Sequence, residues 1–221
     1  LASLRRYQKV LQQRNRLLKS LRENKANKTE LIYWDGMLIE DAYVINNTRQ
    51  RVMTEIDGLL EMHFGQLSGA QHAVDISLRS ANTQHQDKGQ FTHWMTGELR
   101  DNFFAELKSG TSLIGPHRDD FHILVDGFDV GRFGSRGEKK LLALSLKMSE
   151  ASFISAQRND DPIILLDDVL SELDESKRDC VLSMASLYRQ SLITTTDSNL
   201  ISSVPNIKPQ YARVAEGKVY T

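Results

Sequence analysis

The chain has 221 residues, of which 40% are apolar and 26% charged, as in an ordinary globular protein. The chain has a single cysteine, Cys180, which excludes an intramolecular disulfide and a cysteine-rich zinc site and favours a reducing, cytoplasmic setting. No apolar run exceeds four residues, which excludes a membrane span. The formal net charge of -1 hides an asymmetry, because residues 1–28 carry nine basic side chains and one acidic one, so that a basic segment precedes an acidic body.

The first two predicted elements are helices. Apolar residues recur at spacings of three and four over residues 1–23, a polar break follows at 24–28, and a 4-3 spacing extends from about Thr29 to Phe64. Two such helices in succession favour an antiparallel helical hairpin or arm, and two helices of an ordinary bundle would give the same periodicity.

The predicted elements that follow change from helical to mixed α/β. They are, in chain order, a break at 65–73, a strand at 74–78, a polar surface loop at 80–92, a helix at 94–107 that ends at Gly110, a strand at 121–125 with a hairpin turn at Asp126-Gly127, a helix at 135–157, a strand at 163–166, a helix at 174–189, a strand at 192–196, and a hairpin or edge strands at 210–214 and 218–220.

The strand at 163–166 carries the sharpest chemical signal. Its four bulky apolar residues do not alternate with polar ones, which predicts a central parallel strand covered on both faces. It ends in Asp167 and Asp168, and ligands of open α/β sheets bind beyond the carboxyl ends of the strands. One carboxylate there can hold Mg²⁺ and the other can orient a water for attack on a phosphate, although acids at a strand end also serve as caps.

Two helix starts flank this strand in the sequence. Ser135 and Glu138 fit a capping box, and with Gly137 they also fit a phosphate site, because a glycine at a helix N-terminus lets a phosphate approach the backbone N–H groups. Ser171 and Asp174 give a second capping pattern at the start of the next helix. The order matches the signature, Walker B, D-loop and switch strand of ATP-binding-cassette ATPases.

The same segments resemble the bacterial RecF family of recombination mediators, which are relatives of the SMC ATPases. The resemblance covers nearly the whole chain and is carried by Gln13–Lys19, Trp34-Asp35, Gly115–Asp120, Ser135–Glu138 and Leu165–Asp174. It implies an α/β fold, namely the C-terminal part of a P-loop ATPase head of the ABC/SMC type with an inserted α-helical arm. The arm is expected at residues 1–73 and the head at 74–221.

The resemblance also implies the cofactors ATP and Mg²⁺ and a role for each site residue. Asp167 would hold Mg²⁺ through water, and Asp168 would position the attacking water. Ser135 and Gly137 would contact the γ-phosphate held by a second subunit, and Asp174 would couple the two sites. Because Asp168 is shorter than the glutamate of transporters, we expect slow turnover suited to a switch.

The partners implied are DNA at gaps or junctions, RecR and RecO for the loading of RecA, and a second copy of the protein in an ATP-dependent homodimer, without a membrane. The basic helix adds five candidate contacts to DNA or an acidic partner surface, which are Arg5, Arg6, Arg14, Arg16 and Lys19. Phosphate contact would give salt-sensitive affinity that does not depend on base sequence, whereas a merely solvated face is the commoner role of such a charge run.

The sequence departs from the family pattern in three places. No Gly-x-x-x-x-Gly-Lys-Ser/Thr loop occurs in it, so the lobe with that loop is expected before Leu1 and the chain alone is expected to bind ATP weakly. Glu138 stands where the signature commonly has glutamine, and Thr196 or Asp197 would have to replace the switch histidine. The other functions that fit are an SMC-like ATPase with different partners and a non-catalytic binding module.

Overall fold

The computed structural model describes residues 2–79, 87–201 and 209–220. The elements within these ranges are α1 (Ala2–Arg22), α2 (Thr29–Ser68), β1 (Val74–Arg79), α3 (Lys88–Asp101), α4 (Phe103–Ser109), β2 (Asp120–Val125), β3 (Phe128–Asp129), α5 (Val130–Phe133), α6 (Arg136–Arg158), β4 (Ile164–Asp167), α7 (Glu175–Ser186), β5 (Ser191–Thr194), β6 (Arg213–Ala215) and β7 (Lys218–Tyr220). None of the helices in the described ranges is long and apolar enough to cross a membrane.

Contacts along the backbone divide the chain into two compact units. The first combines Leu1–Gly58 with Ala73–Ser135, and the second combines Leu59–His72 with Arg136–Thr221. The long helix α2 therefore contributes its last turns to the second unit. The division into an arm at 1–73 and a head at 74–221 stays a prediction.

The core of the first unit is formed by α1, the first part of α2 and α3. Buried residues at helical spacing meet there, namely Tyr7 and Val10 of α1, Leu38, Ile39, Ala42 and Ile45 of α2, and Phe91, Met95 and Leu99 of α3. This confirms the two predicted N-terminal helices, since amphipathic helices gain most of their stability from burying an apolar face.

The helix predicted at 94–107 differs from the observed one at both ends. It starts earlier, at Lys88, because the Asp87 side chain accepts a hydrogen bond from the Gln90 N–H and caps α3. Part of the surface loop predicted at 80–92 is thus helical, and its residues 80–86 lie outside the described residues. A break at Asn102 separates α3 from α4, and α4 ends as predicted at Gly110, whose φ of 68° is left-handed.

An antiparallel sheet of order β1-β2-β3 completes the first unit. Val74 pairs with Val125 at one end of the β1–β2 register and Arg79 pairs with Asp120 at the other. The predicted hairpin turn is confirmed, since Asp126 and Gly127 have φ values of 51° and 82°, as a type I′ turn requires.

The second unit places β4 beside β5 in a parallel pair, with Asp167 in register with Thr194 at the carboxyl ends. The prediction that this strand is covered on both faces is wrong for the described residues. Ile164 and Leu166 are buried, but Leu165 is 71% exposed. Successive side chains of a strand point to opposite faces, and in the described part of the chain only the face of Ile164 and Leu166 is packed.

Candidate nucleotide-binding site

Thr194 forms hydrogen bonds with both acids at the end of β4, Asp167 and Asp168. Its hydroxyl donates to Asp167 Oδ1 at 2.5 Å and accepts from the Asp168 N–H at 3.0 Å, and its carbonyl accepts from the same N–H at 3.2 Å. Because β4 and β5 are parallel and in register, the switch strand supplies this contact directly. Sequence reasoning considered Thr196 and Asp197 for that strand and missed Thr194.

Asp168 has a backbone conformation that few residues adopt. Its φ is 50°, in the left-handed region, where aspartate is tolerated better than most side chains. The chain turns there into a 3-10 turn at Leu170–Glu172, and the Ser171 hydroxyl donates to the Asp168 carbonyl at 3.0 Å. Such strained conformations concentrate at functional sites, where the surrounding structure holds them.

Asp174 is the N-cap of α7, as its sequence pattern predicts. Its side chain accepts from the Lys177 N–H at 3.0 Å and also bonds the Lys177 ammonium group. The hydrogen bond from the Lys177 side chain, with the backbone bond, lowers the pKa of Asp174. In the preceding turn Glu172 pairs with Lys140 of α6. Sequence reasoning missed both lysines, although the spacing of three between 174 and 177 was a visible signal.

The start of α6 leaves the predicted phosphate-binding face open. The helix begins at Arg136, so Ser135 stands at the N-cap position, and the capping box with Glu138 stays a prediction. Gly137 is exposed, and a Cβ placed on it would meet nothing within 4 Å. Packing in the described structure therefore does not require this glycine, whereas close approach of a ligand to the helix N-terminus would.

A cleft of about 980 Å³ in the second unit brings most of the predicted site residues together. Its polar lining residues are Glu138, Lys140, Lys147, Glu150, Asp167, Asp168, Glu172, Asp174 and Lys177, and Gly137 lies among them. Its apolar part includes Leu141, Leu144, Met148, Ile163 and Leu165. Pockets with apolar walls and a few converging polar groups are typical ligand sites. Ser135 does not line this cleft.

The acids at the end of β4 fit a hard cation such as Mg²⁺. Asp167 is exposed, and the hydrogen bond from the Thr194 hydroxyl engages its Oδ1. Among the described residues there is no cluster of three or more histidine, cysteine, aspartate or glutamate side chains suited to a metal ion. Proteins commonly bind Mg²⁺ by one or two carboxylates together with nucleotide phosphates and water, and the exposed carboxylate of Asp167 can act as such a ligand.

One of the five basic residues of α1 that were predicted to contact DNA or an acidic partner, Arg14, is buried. Arg14 has a side chain only 1% exposed, so it cannot reach a phosphate backbone. It binds Asp35 at 2.7 Å, the Ser112 hydroxyl at 2.7 Å and Glu106 Oε2 at 2.7 Å, the last as an ion pair rather than an aligned hydrogen bond. The arginine therefore neutralises the buried Glu106 and the partly exposed Asp35 of its own unit.

The other four basic residues remain accessible. Arg5, Arg16 and Lys19 are exposed, and Arg6 is 57% exposed while its guanidinium binds the fully buried Asp41 at 2.6 Å. At 100° per residue, positions 5, 16 and 19 fall within a narrow sector of α1. A basic stripe thus faces solvent on the side opposite the apolar core.

The Gly115–Asp120 stretch forms a turn held against the helices. The Arg118 N–H donates to the Gly115 carbonyl at 2.9 Å. The Arg118 guanidinium donates to the Ser112 carbonyl at 2.9 and 3.2 Å. It is Arg49 of α2 that lies 3.4 Å from Asp119.

His117 connects this turn to α1 through a hydrogen bond with Tyr7. Its Nδ1 lies 2.6 Å from the Tyr7 hydroxyl and its Nε2 lies 3.1 Å from the Ser112 carbonyl, so the neutral ring accepts from Tyr7 and donates to Ser112. Burial lowers the pKa of His117 and raises the pKa of Tyr7, which favours the neutral form of both.

The chain is similar in sequence and in structure to proteins named RecF. No protein-family model matches the chain. Proteins named "DNA replication and repair protein RecF" do match, from Herpetosiphon aurantiacus at 35% identity over 96% of this chain and 54% of the relative, and from Chloroflexus aggregans at 34% over 97% and 56%. Two solved structures of the recombination mediator protein RecF in the RecFOR pathway, one with ATPrS and one with ATP, match with TM-scores of 0.85 at 26% and 25% identity, over 98% and 99% of this chain and 57% of each structure.

The fold is therefore that of part of an ABC/SMC-type P-loop ATPase, with mixed helix and sheet. Within that class, the chain is a homologue of RecF along nearly all of its own length. It spans about half the length of the curated relatives that it matches.

Proposed function

We propose that the intact protein is an ATP-gated recombination mediator that dimerises on ATP, binds DNA at gaps or junctions in the cytoplasm, and acts with RecR and RecO to load RecA. The observation that carries this proposal is the end of β4, where Asp167 and strained Asp168 are both held by Thr194 beside an open cleft. The likeness to RecF structures that hold ATP or ATPrS supports it.

In this proposal each acid has one task. Asp167 is the residue that would hold Mg²⁺, and the ion would supply positive charge to offset the negative charge of the nucleotide phosphates. Asp168 orients the attacking water, and the Thr194 bonds to its backbone keep the carboxylate in place. The bond from Thr194 fixes one Asp167 oxygen, so that the ligand is positioned before nucleotide binds.

The signature and the D-loop act on the nucleotide of the second subunit. Ser135 and the Gly137 N–H would meet the γ-phosphate there, favoured by the positive end of the α6 dipole. Asp174 lies at the adjacent helix start, where its bonds to Lys177 fix the geometry of the turn. Glu138 points its charge at its own helix N-terminus in this arrangement, rather than at the phosphate.

DNA binding is assigned to the solvent-facing stripe of α1. Arg5, Arg16 and Lys19 would each neutralise a phosphate and release a counterion, whereas Arg6 lies outside the stripe, about 80° further around α1, where it binds Asp41. No base-reading pattern accompanies them, so we expect affinity without sequence preference.

The test is the affinity of the intact protein, at the full length of its relatives, for a fluorescently labelled gapped duplex. Anisotropy is measured with and without ATP over a range of salt concentrations. We expect ATP to tighten binding at least about tenfold. Replacing Arg5 and Arg16 together with glutamine should reduce the slope of log affinity against log salt by roughly two, because two phosphate contacts are lost.

Arg158→Gln is the matched control, since this arginine is exposed in the last turn of α6, outside both the stripe and the cleft. It should leave both the affinity and the salt slope unchanged. Equal affinity with and without ATP would contradict the ATP gate, and an unchanged slope in the double variant would remove α1 as the DNA surface.

A further inference from the structure

A small cavity lies in the first unit, where α2, α3 and the turn at Gly115 meet. Its volume is about 100 Å³. The residues that line it are Asn46, Arg79, Phe91, Trp94, Met95, Leu113, Ile114, Gly115, Pro116, Arg118 and Asp119. This cavity is separate from the cleft at β4, with which it shares no residue.

Asn46 gives the cavity an unmet hydrogen-bonding requirement. Its side chain is 3% exposed, and its Oδ1 has no hydrogen-bond partner within the described structure. A buried carbonyl oxygen without a donor costs free energy, and folded proteins leave few such groups unpaired. Asn46 lines the cavity, so a molecule that binds there can supply the missing donor.

The walls of the cavity define the shape of that molecule. Phe91 and Met95 are 2% and 0% exposed and form an apolar base, and Trp94 adds a second aromatic side chain. Aromatic walls favour a planar ring, which can stack on them. A planar ring that carries an N–H donor for Asn46 Oδ1 meets both conditions.

The charges of the lining residues point to an anionic substituent on that ring. Arg79 and Arg118 are exposed at the cavity, and the bonds of Arg118 to the Ser112 carbonyl use Nε and Nη2, not Nη1. The acid beside them, Asp119, is already within 3.4 Å of Arg49. A phosphate attached to the ring would therefore meet guanidinium groups.

We propose that this cavity is a binding site for a single nucleobase that carries a phosphate. The base enters beside Phe91 and Trp94 and donates to Asn46 Oδ1. A volume of about 100 Å³ is well below the roughly 300–1,000 Å³ of ordinary small-molecule pockets, so no more than one small ring enters while the sugar and phosphate stay outside, near the two arginines.

The base can come from a free nucleotide or from an unpaired position of single-stranded DNA. In the second case the site rests on the proposed DNA binding and deepens it. An unstacked base in a gap would bind in the cavity, but a single hydrogen bond to the base would give little sequence specificity.

The experiment uses the fluorescence of Trp94 in the 221-residue chain, with Trp34, the other of the two tryptophans in these residues, replaced by phenylalanine. The ligands are dCMP, a short oligo(dC), the same oligonucleotide with abasic sites, and deoxyribose 5-phosphate. We expect quenching by dCMP, by oligo(dC) or by both, and none by the two ligands without a base. Asn46→Leu and the smaller Asn46→Ala should each weaken binding about tenfold or more, while Asn47→Ala, at an exposed neighbouring position, should not.

The outcomes separate the two sources and the two proposals. Quenching by dCMP alone assigns the site to a free nucleotide, and quenching by oligo(dC), with or without quenching by dCMP, assigns it to single-stranded DNA. Absence of quenching, equal quenching by deoxyribose 5-phosphate, or full affinity in Asn46→Ala would overturn the site. Binding of gapped duplex is measured on the same sample, so loss of base-dependent quenching with retained duplex binding refutes this site and leaves the α1 surface standing.

Discussion

Replacing Arg14 with methionine removes one partner of a buried ion pair and leaves Glu106 charged in the core. Arg14 is 1% exposed and Glu106 is fully buried at 0%, so neither charge can be hydrated in place. Breaking such a pair costs about 3–5 kcal/mol, because the remaining charge is uncompensated. With an m-value of about 2 kcal/mol/M, a loss of about 4 kcal/mol lowers the urea midpoint by about 2 M.

Urea unfolding at pH 7, followed by tryptophan fluorescence, measures this loss. Arg16→Met on the exposed side of the same helix is the control and should change stability by no more than about 0.5 kcal/mol. The double variant Arg14→Met/Glu106→Leu should recover most of the loss, because no unpaired charge remains. A cost below about 1 kcal/mol for Arg14→Met, or a double variant less stable than the sum of the single changes, would refute the reasoning.

Three further predictions concern the turn at Gly115 and the strained aspartate. Gly115→Ala should destabilise the chain by more than about 1 kcal/mol, since φ is 130° and the new Cβ would lie 2.4 Å from the Tyr7 hydroxyl, whereas Gly36→Ala in the open helix face should stabilise it in the same thermal melts. Because burial lowers the pKa of His117, the unfolded chain takes up the proton first, so stability should fall as the pH drops below about 6.5, and His117→Gln should flatten that dependence in urea titrations at several pH values. Asp168→Gly should keep the melting temperature, while Asp168→Val should lower it, because a β-branched residue resists a φ of 50°.

Periodicity alone predicted α1 and α2 because both helices bury one face. The same pattern also contained the signal that was missed at Arg14. Position 14 follows Tyr7 and Val10 and precedes Leu17 at the spacing of the apolar face, so its side chain had to point inward. Its acidic partners come from distant parts of the chain, and no local pattern could show them.

The site was predictable where the chemistry is local. The acids at the end of β4 and the cap at Asp174 follow from strand and helix-start patterns over a few residues. The contact from Thr194 depends on the register of two parallel strands that are 27 residues apart, and the exposure of Leu165 depends on what packs against the sheet. Neither the Thr194 contact nor the exposure of Leu165 can be predicted from the local sequence.

The measurement that tests the central proposal most directly is the molar mass of the intact protein by size-exclusion chromatography with light scattering, with and without ATP. The proposal predicts a monomer without nucleotide and a dimer with ATP, and a monomer in both conditions for Ser135→Arg, since a bulky cation at the N-cap position of α6 would block the γ-phosphate of the second subunit. A dimer that forms equally without ATP, or that Ser135→Arg leaves intact, would contradict it.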